Sequence, residues 1–481
     1  MKFKKSIVLG LGMLAAGAYA ANGNGVSLII KYKPSSNTLI SLMMAANTTD
    51  YAVVKQLNAN TAIIEVPEVL NNQMLLLAVN NDPLAQQNRE YAVAKQFMDN
   101  HPNVLYAIPH NSTMKSYRMD DSKLGSKTGE NVTRWDDQWD MHNDQYGIGA
   151  NGAWGYLKGK QLSATYVAVV DSGLAGNPPK DILKKIDKSD TYFFTMDGNE
   201  VVAKRDITDK GSFHGTHVAG TIAANGSTVT GVAGPVSSIK VMPVRALGDD
   251  GSGNTYAILD AVKWAVGAGV DGIKTGLGDI LAQNHMPVKV INLSLGMSRI
   301  NPHTKKPQID DSTWKNNYMV PLCAAWKDAI DAANAHGVTV VIAAGNDAYN
   351  LFNDIPSGCQ NIDAVVVEAS GPTGKLSYYS TYLDSKWAVR STVVRAPGGD
   401  AHYGESGEIL STMNNGYGYM QGTSMATPHV AGLISLIYAL NPTADYSYVA
   451  RVLKHSQNSL GLLNAQSAVQ YVLQSKVADA A

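Results

Sequence analysis

The sequence predicts an α/β fold: a doubly wound, mostly parallel sheet with helices on both faces, preceded by a small α+β domain. Short, nearly continuous apolar runs such as Thr165–Val170 and Ile239–Arg245 are typical of strands buried on both faces. Segments of helical length separate these runs, as in βαβ units. The chain has 481 residues, 44 glycines and only 16% charged residues, which suits a large, compact core.

The charge balance bounds the partners that the protein can have. The formal net charge is -1 at pH 7, and no internal repeat or low-complexity tract interrupts the chain. Nucleic-acid partners require a basic surface, which this balance does not predict. We therefore expect no nucleic-acid partner.

Residues 1–20 have the pattern of a secretory signal peptide. Lysines precede an apolar stretch with a small-residue ending, so cleavage is expected after Ala20. The alternative is a membrane anchor, but the stretch is short and contains Gly10 and Gly12. We expect a secreted protein, extracellular or periplasmic in transit, with no membrane association after signal removal.

The chain contains two cysteines, Cys323 and Cys359. An even pair in an exported chain predicts one disulfide bond. The loop that it would close is long enough to stabilise the fold by about 3–4 kcal/mol. Two buried free thiols are the alternative.

Residues 21–112 are predicted to form the small α+β domain. The expected elements are apolar or strand segments at Val26–Lys33, Ala62–Val66, Met74–Val79 and Asn103–Ile108, and a helix at Arg89–Asp99. From 113 to 134 the chain becomes polar and charged, which predicts an exposed linker.

Residues 135–475 are predicted to contain the doubly wound sheet. In chain order, strands are expected at Thr165–Val170, Ile239–Arg245, Val288–Leu293, Val338–Ala344 and Ala364–Ala369, and helices at His214–Ala224, Thr255–Ala268 and Cys323–Ala335. Polar stretches with glycine and proline, at about 271–287 and 298–322, are expected to be surface loops.

The stretch Gln421–Gly432, QGTSMATPHVAG, gives the first indication of function. A Gly-Thr turn precedes Ser424 and an apolar run follows it to Leu440, so Ser424 is predicted to begin a buried helix. Free backbone N–H groups and the helix dipole favour negative charge there. A hydroxyl at that position can act as a nucleophile, because the oxyanion formed by its attack is stabilised. The alternative is an ordinary N-cap serine.

Three other positions supply suitable partners for such a hydroxyl. Asp171 ends an apolar strand, at the sheet edge where ligands bind. His214 and His217 flank a Gly-Thr turn that opens a helix, and one of them could accept a proton. The amide of Asn346 follows another strand and can donate to an oxyanion.

Each of these residues has a plainer interpretation. Asp171 could cap a helix, Asn346 could belong to an ordinary turn, and the two histidines could form half of a metal site. No second ligand cluster with metal spacing accompanies the histidines, so we predict no metal site.

Five motifs occur in the order VVDSG, HGTHVAGTIAA, INLSLG, AAGN and GTSMATPHVAG. Together they closely resemble the motifs of the subtilisin-like (subtilase) serine endopeptidases. The resemblance extends from about Trp135 to Val472 and implies that family's α/β fold. The chain order of the acid, the histidine and the serine is that of subtilisin.

The resemblance implies a role for each matching residue. Ser424 corresponds to the nucleophile, His214 to the general base and Asp171 to the carboxylate that orients the imidazole. Asn346 corresponds to the oxyanion donor, together with the backbone N–H of Ser424. His217 would then be structural.

The resemblance also implies a substrate cleft in which the substrate backbone adds as a strand between two protein segments. The matching segments are Gly251, Ser252 and Gly253 on one side and Ser294, Leu295 and Gly296 on the other. Asp354 falls at the floor of the main specificity pocket. We hypothesise that it favours Arg or Lys before the cut by charge pairing. The alternative is a solvated loop residue.

The N-terminal domain resembles the ferredoxin-like inhibitory propeptide of these enzymes. The resemblance implies that it assists folding and blocks the cleft until self-cleavage within 113–134. The loop Asn225–Thr230 is short compared with the calcium-holding loop of the family, so structural calcium has no clear motif. No cofactor is expected to be required for the chemistry.

The expected function is a secreted serine endopeptidase, made as a zymogen, that acts as a monomer on protein or peptide substrates. The main alternative is a catalytically inactive subtilase-fold protein used for binding or adhesion, although all four catalytic positions are present. An esterase or lipase would require a G-x-S-x-G elbow and the order Ser, Asp, His, which this chain lacks.

Overall fold

The computed structural model describes most of the chain. The described residues are 25–33, 51–58, 60–67, 82–117, 137–142, 146–226, 228–268, 273–279 and 281–479. The predicted signal peptide, the apolar segment Met74–Val79 and the predicted linker after 117 lie outside these residues.

The N-terminal unit is a four-stranded antiparallel sheet covered by a helix. Its elements are β1 (Val26–Tyr32), β2 (Ala52–Asn58), β3 (Thr61–Val66), α1 (Pro83–Asn100) and β4 (Val104–Pro109). The strand order is β2-β3-β1-β4. An α+β unit therefore forms where the sequence predicts one.

Helix α1 begins at a cap that the sequence encodes. The Asp82 carboxylate accepts a hydrogen bond from the backbone N–H of Leu84 at 3.0 Å, and a proline occupies the first turn, where no N–H is needed. The buried side chains of Tyr91, Ala94 and Phe97 recur at helical spacing and form the face that packs inward.

The rest of the chain forms one larger unit. Its strands are β5 (Thr113–Ser116), β6 (Thr165–Asp171), β7 (Phe193–Asp197), β8 (Glu200–Lys204), β9 (Ile239–Arg245), β10 (Ser252–Asn254), β11 (Lys274–Thr275), β12 (Val288–Leu293), β13 (Leu295–Ser298), β14 (Thr339–Ala343), β15 (Asp354–Ile355), β16 (Val365–Ser370), β17 (Thr392–Pro397), β18 (Ile409–Met413) and β19 (Gly416–Met420). Its helices are α2 (Ala150–Leu157), α3 (His214–Ala223), α4 (Thr255–Ala265), α5 (Val320–Ala335), α6 (Thr423–Leu440), α7 (Tyr446–His455) and α8 (Ala465–Asp479). Short helical turns and two-residue strands complete the unit at Trp139–Met141, Leu174–Ala175, Lys180–Leu183, Thr208–Asp209, Asp311–Thr313, Trp314–Met319, Leu351–Asn353, Ala401–Tyr403 and Glu405–Gly407.

Nine strands form the central sheet, in the order β11-β8-β7-β9-β6-β12-β14-β16-β17. Neighbouring strands are parallel except in the β7–β8 hairpin. In β6, Val167 and Val169 join one hydrophobic core, whereas Ala168 and Val170 join the other. Since the strand is apolar on both faces, both must be covered by helices. The predicted doubly wound α/β fold is confirmed.

Helix α6 is the central core helix. All of its residues are buried, which matches its apolar sequence. Among the described residues it is also the one helix long and apolar enough to cross a membrane, but its full burial inside the protein is that of a core helix. Pro428 lies within its second turn.

Strand β5 corrects the predicted start of the linker. Residues from 113 were expected to be exposed, yet β5 pairs antiparallel with both β10 and β13. Met114 is fully buried and Tyr117 is only 8% exposed. The strand is short and polar, and its partners lie far along the chain, so the local composition suggested a linker.

The region 298–322 also departs from its prediction as a surface loop. It contains a π-helical turn, Trp314–Met319, that leads directly into α5. Trp314 and Tyr318 are buried, and the Tyr318 ring stacks on Tyr91 of the N-terminal unit at 3.9 Å between centroids. The segment is therefore partly an interface between the two units.

The predicted disulfide is present. Cys323 in α5 is bonded to Cys359, 36 residues later, just beyond β15. The bond ties the segment that carries Asp354 to a long helix. A crosslink of this loop length is expected to stabilise the fold by about 3–4 kcal/mol.

Candidate active site

The fold brings three chemically complementary side chains to one edge of the sheet. Asp171 is the last residue of β6, His214 is the first residue of α3, and Ser424 lies in the first turn of α6. All three are fully buried. Because carboxyl ends of parallel strands share an edge, the crossover helices that follow them start there too.

Asp171 orients the imidazole of His214. Its carboxylate accepts from His214 Nδ1 at 2.8 Å and 3.0 Å, and one oxygen also accepts from the backbone N–H of Ser172 at 2.7 Å. A proton on Nδ1 leaves Nε2 as the basic nitrogen. That nitrogen is buried and has no hydrogen-bond partner among the described residues.

Gly215 makes this contact sterically feasible. A Cβ at this position would lie 2.4 Å from the carbonyl oxygen of Gly173 and 3.3 Å from Cβ of Asp171. The start of α3 can therefore approach the end of β6 only without a side chain. Close packing against β6 therefore explains why a glycine follows the first histidine of the motif.

The Ser424 hydroxyl does not hydrogen-bond to His214 in the structure. Its Oγ donates to the carbonyl oxygen of Ser294 at 2.9 Å. In return, Ser294 Oγ donates to the carbonyl oxygen of Ser424 at 2.9 Å, and Asn292 Nδ2 donates to Ser294 Oγ at 2.9 Å. A hydrogen bond from Ser424 to the imidazole requires the hydroxyl proton to leave the carbonyl oxygen of Ser294.

Two donors converge on one carbonyl oxygen, that of Tyr117. Asn346 Nδ2 donates to it at 2.8 Å, and the backbone N–H of Ser424 donates to it at 3.2 Å. The Asn346 amide is held in this orientation because its Oδ1 accepts from both the backbone N–H and the hydroxyl of Thr423, each at 2.9 Å. Donors placed in this way can stabilise an oxyanion.

Strand β5 lies in a cleft between the two segments predicted to bind substrate backbone. Ser252 and Gly253 pair with Lys115 and Met114 on one side. On the other side, Leu295 pairs with Ser116 and Gly296 with Lys115. The backbone of Ser116 donates to Gly251 and that of Tyr117 donates to Ser294, at 3.0 and 3.2 Å. An extended chain is thereby bonded along both edges.

The side chain of Tyr117 fills a pocket whose floor is Asp354. Tyr117 Oη donates to Asp354 Oδ1 at 2.7 Å, and Thr381 Oγ1 donates to Asp354 Oδ2 at 3.1 Å. A Cβ on Gly296 would lie 2.4 Å from Cε2 of the tyrosine ring, so this wall must be a glycine. The pocket is shaped around a flat aromatic ring with a polar tip.

The burial of Asp354 decides against one of its two sequence-based interpretations. It is fully buried, so it is not a solvated loop residue. Burial, and secondarily the charge of Asp347, raise its pKa well above the ordinary value of an aspartate. A charge pair with Arg or Lys needs an ionised carboxylate, whereas the residue observed in the pocket is a tyrosine.

His217 bonds within the protein interior. It is fully buried, and its Nε2 donates to the carbonyl oxygen of Ile409 at 3.0 Å. Burial lowers its pKa to about 3, so the ring is neutral. The structure thus gives His217 a packing role.

A second buried pair, Asp140 and His429, was not predicted from the sequence. His429 Nε2 lies 2.7 Å from Asp140 Oδ2, and Nδ1 lies 2.8 Å from the carbonyl oxygen of Met425. The pair joins α6 to the turn Trp139–Met141. His429 belongs to the motif around Ser424, which is the signal that could have drawn attention to it.

The short loop Asn225–Thr230 packs against the carboxylate of Asp181. Asp181 Oδ2 accepts from the backbone N–H groups of Thr228 and Val229 and from the hydroxyl of Tyr417, at 3.3, 3.1 and 3.0 Å. A Cβ on Gly226 would overlap this carboxylate. Within the described ranges, no group of three or more His, Cys, Asp or Glu side chains could hold a metal ion.

Comparisons with known proteins agree with this geometry. The model of the subtilase family matches residues 163–471 of the chain. An extracellular protease of Xanthomonas campestris pv. campestris is 33% identical over 388 residues, which are 73% of this chain and 58% of that protein. The chain thus spans less than two thirds of the length of this relative.

Solved structures point to the same fold. A protease of Pseudoalteromonas arctica is 32% identical, with a TM-score of 0.54, over 71% of this chain and 99% of that chain. The epidermin leader peptide processing serine protease of Staphylococcus aureus has a TM-score of 0.60 over 93% of this chain and 98% of that chain. At 19% identity, that likeness concerns the fold alone. The family match over most of the chain and the sequence identity to the Xanthomonas protease confirm the resemblance: this chain belongs to the subtilase family.

Proposed function

We propose that this protein is a serine endopeptidase of the subtilisin type, made as a self-processing zymogen. One observation carries the proposal: the carbonyl oxygen of Tyr117 accepts hydrogen bonds from both Asn346 Nδ2 and the N–H of Ser424. These are the two donors that an acyl-transfer site needs, and the nucleophilic hydroxyl belongs to one of the same residues.

The proposed reaction follows from the placement of these groups. Ser424 Oγ attacks the carbonyl carbon of the residue in the Tyr117 position, and its proton passes to His214 Nε2. Asp171 stabilises the resulting imidazolium, and the oxyanion is held by Asn346 Nδ2 and the Ser424 N–H. The imidazolium then protonates the leaving amine, and water hydrolyses the acyl-enzyme by the same proton route.

The N-terminal unit is proposed to be the inhibitory propeptide. Its continuation, β5, occupies the proposed substrate cleft, and its body is docked on α4 and α5. Lys31 Nζ donates to both oxygens of Asp328 at 2.9 and 2.7 Å, and Tyr318 Oη donates to Asn88 Oδ1 at 2.7 Å. Self-cleavage would then fall directly after Tyr117, within the region 113–134.

The central test is the state of the purified full chain. The wild type is expected to cut itself after Tyr117 and to react with a fluorophosphonate probe at Ser424. Ser424→Ala should stay uncut and lose about 10⁶ in kcat, and Asn346→Ala should lose about 10²–10³, the magnitudes known for subtilisin itself. Intact-mass analysis locates the cut.

The main rival is a catalytically inactive subtilase-fold protein that binds or adheres. A folded wild-type chain that neither reacts with the probe nor cuts itself would favour that rival. The presence of Asp171, His214, Asn346 and Ser424 in one buried constellation supports the enzyme instead.

We propose that the protein is secreted and acts on protein or peptide substrates as a monomer. The signal-peptide pattern of residues 1–20 and the extracellular protease of Xanthomonas support export. No cofactor is proposed for the chemistry. Cell fractionation and light scattering of the processed protein test location and oligomeric state.

A further inference from the structure

We propose that Asp354 makes this peptidase selective for tyrosine at the residue before the cut, by hydrogen bonding to the phenol hydroxyl. This inference rests on the proposed function and deepens it, because it names the substrate side chain. The observation behind it is the contact between Tyr117 Oη and Asp354 Oδ1 at 2.7 Å, in the chain that occupies the cleft.

The position of Tyr117 identifies its pocket as the one next to the reacting bond. Its carbonyl oxygen accepts hydrogen bonds from both oxyanion donors. Its backbone N–H donates to the carbonyl oxygen of Ser294, which also accepts from Ser424 Oγ. A substrate that reacts with Ser424 must place its own carbonyl there. Its side chain will therefore enter the pocket that now holds the tyrosine ring.

The Asp354 carboxyl lies at the tip of the pocket, where Tyr117 Oη bonds to it. Asp354 is fully buried, and Thr381 Oγ1 occupies its second oxygen. A Cβ on Gly345 would lie 2.4 Å from Asp354 Oδ1, so the backbone encloses the carboxyl from that side. The first oxygen is left for the occupant of the pocket, here the phenol.

Phenylalanine would fill the same space but would leave that oxygen without a donor. A buried polar atom that loses its partner carries a penalty, and sites built to bond a hydroxyl discriminate strongly against the analogue that lacks it. We expect tyrosine to exceed phenylalanine in kcat/KM by roughly 10- to 100-fold.

A basic side chain would meet an unfavourable environment. Asp354 lies in a fully buried position near Asp347, and burial raises its pKa well above the ordinary value. An arginine or lysine would have to lose its hydration to pair with a carboxyl in that position. The proposed preference for tyrosine therefore stands in place of the Arg or Lys preference hypothesised from the sequence.

The test uses the self-processed full chain and three peptides that differ only in Tyr, Phe or Arg before the cut. The wild type should rank Tyr first in kcat/KM. Asp354→Leu, which is close to isosteric but apolar, should remove the preference or reverse it toward Phe. Asp354→Asn, which keeps a polar atom at the tip, is the matched control and should retain the preference for Tyr.

Self-processing gives an independent readout in the same molecule. Tyr117→Phe should slow the cut at 117 in the wild-type background by roughly tenfold or more, but should have little effect in the Asp354→Leu background. Such coupling would not arise if Asp354 had only a structural role.

The possible outcomes separate the two proposals. Equal or better cleavage of the Phe or Arg peptide by the wild type overturns the tyrosine assignment and leaves the peptidase intact. Retention of the Tyr preference in Asp354→Leu also overturns it. Failure to cleave any peptide, together with no reaction with the fluorophosphonate probe, overturns both.

Discussion

The part of the chain that the structure describes contains two fully buried histidine–carboxylate pairs, which differ in whether the second ring nitrogen of the histidine has a partner. In the pair Asp171–His214 the nearest N–O distance is 2.8 Å, and in Asp140–His429 it is 2.7 Å. His214 Nε2 has no partner among the described residues, whereas the second nitrogen of His429 bonds to a backbone carbonyl.

The difference teaches that a carboxylate partner alone does not make a catalytic base. Both nitrogens of His429 already have hydrogen-bond partners, Asp140 and the carbonyl oxygen of Met425, so neither is available to a substrate. His214 Nδ1 is hydrogen-bonded to Asp171, whereas Nε2 remains available to a substrate or to Ser424. Proton transfer requires that free nitrogen.

The largest expected effect tests the pair that we propose to be catalytic. His214→Ala should lower kcat by about 10⁶, because no base remains for Ser424; this is the loss known for the equivalent change in subtilisin. The rate at which the full chain cuts itself after Tyr117, followed by intact-mass analysis, measures the loss, because β5 occupies the cleft of an uncut variant. The melting temperature of the variant should stay close to that of Ser424→Ala, which serves as the uncut control.

A loss of less than about a hundredfold in His214→Ala would contradict the role of His214. His214→Ala should also be more stable than Asp140→Ala. Equal loss of stability in the two variants would show that both histidines have a structural role.

The second effect tests the structural pair. Asp140→Ala should lower the free energy of unfolding by about 3–5 kcal/mol, because it leaves the buried imidazole of His429 without its carboxylate. Urea unfolding in the Ser424→Ala background measures this loss without self-digestion. Activity per folded molecule, in the chain that keeps Ser424, should be nearly unchanged.

An Asp140→Ala chain that is as stable as its parent would show that the pair contributes nothing to folding. Asp140→Asn provides the graded control, since an amide oxygen can still accept from His429 Nε2 and should recover part of the stability.

The smallest expected effect concerns a third cluster of buried charges, beneath the N-terminal unit. Asp328 bonds to both Lys31 and Lys263; burial would raise its pKa, but the two ammonium groups outweigh that effect and lower it. Burial raises the pKa of Asp260 to about 6, although the same lysines oppose the rise. Asp328, which is paired directly with both lysines, therefore has the lower pKa of the two carboxylates, although the same lysines lie near Asp260.

The sign of the pH dependence follows from Asp260. Its pKa is higher in the folded chain than in the unfolded chain, so the native state holds that proton more tightly between about pH 4 and 6. The stability that it contributes is present below pH 4 and is lost as pH rises through 6. Asp260→Asn should flatten this part of the stability curve by up to about 3 kcal/mol.

Thermal unfolding of the uncut Ser424→Ala chain, with and without Asp260→Asn, measures this effect as a difference between two curves. Parallel curves from pH 4 to 7 would show that Asp260 titrates alike in the folded and unfolded states.

Much of the fold could be predicted because its strands are apolar on both faces. Ile239–Arg245 and Val288–Leu293 have the bounds that their sequences predict, since burial on two sides leaves a continuous apolar run. Strand β5 could not be predicted in the same way. Its residues are polar and few, and its pairing depends on β10 and β13, which only the folded molecule brings alongside.

The candidate site likewise contains residues that the sequence indicates and surroundings that only the folded chain defines. The motifs indicated Asp171, His214, Asn346 and Ser424 because each stands at a strand end or a helix start. Sequence could not give the surroundings of Asp354, because its pKa depends on burial by segments distant in the chain. The seryl rotamer directed at Ser294 likewise depends on how β13 packs against α6.

The pairing of β5 along both of its edges limits what the proposed peptidase can attack. A chain that is to enter the cleft must offer several consecutive residues in extended form, with the N–H and C=O groups on both sides free. Helix interiors and inner strands of a folded protein have already committed those groups. The folded structure of a target protein should therefore limit its cleavage more than its sequence does. Cleavage should concentrate in loops, tails and unfolded polypeptides.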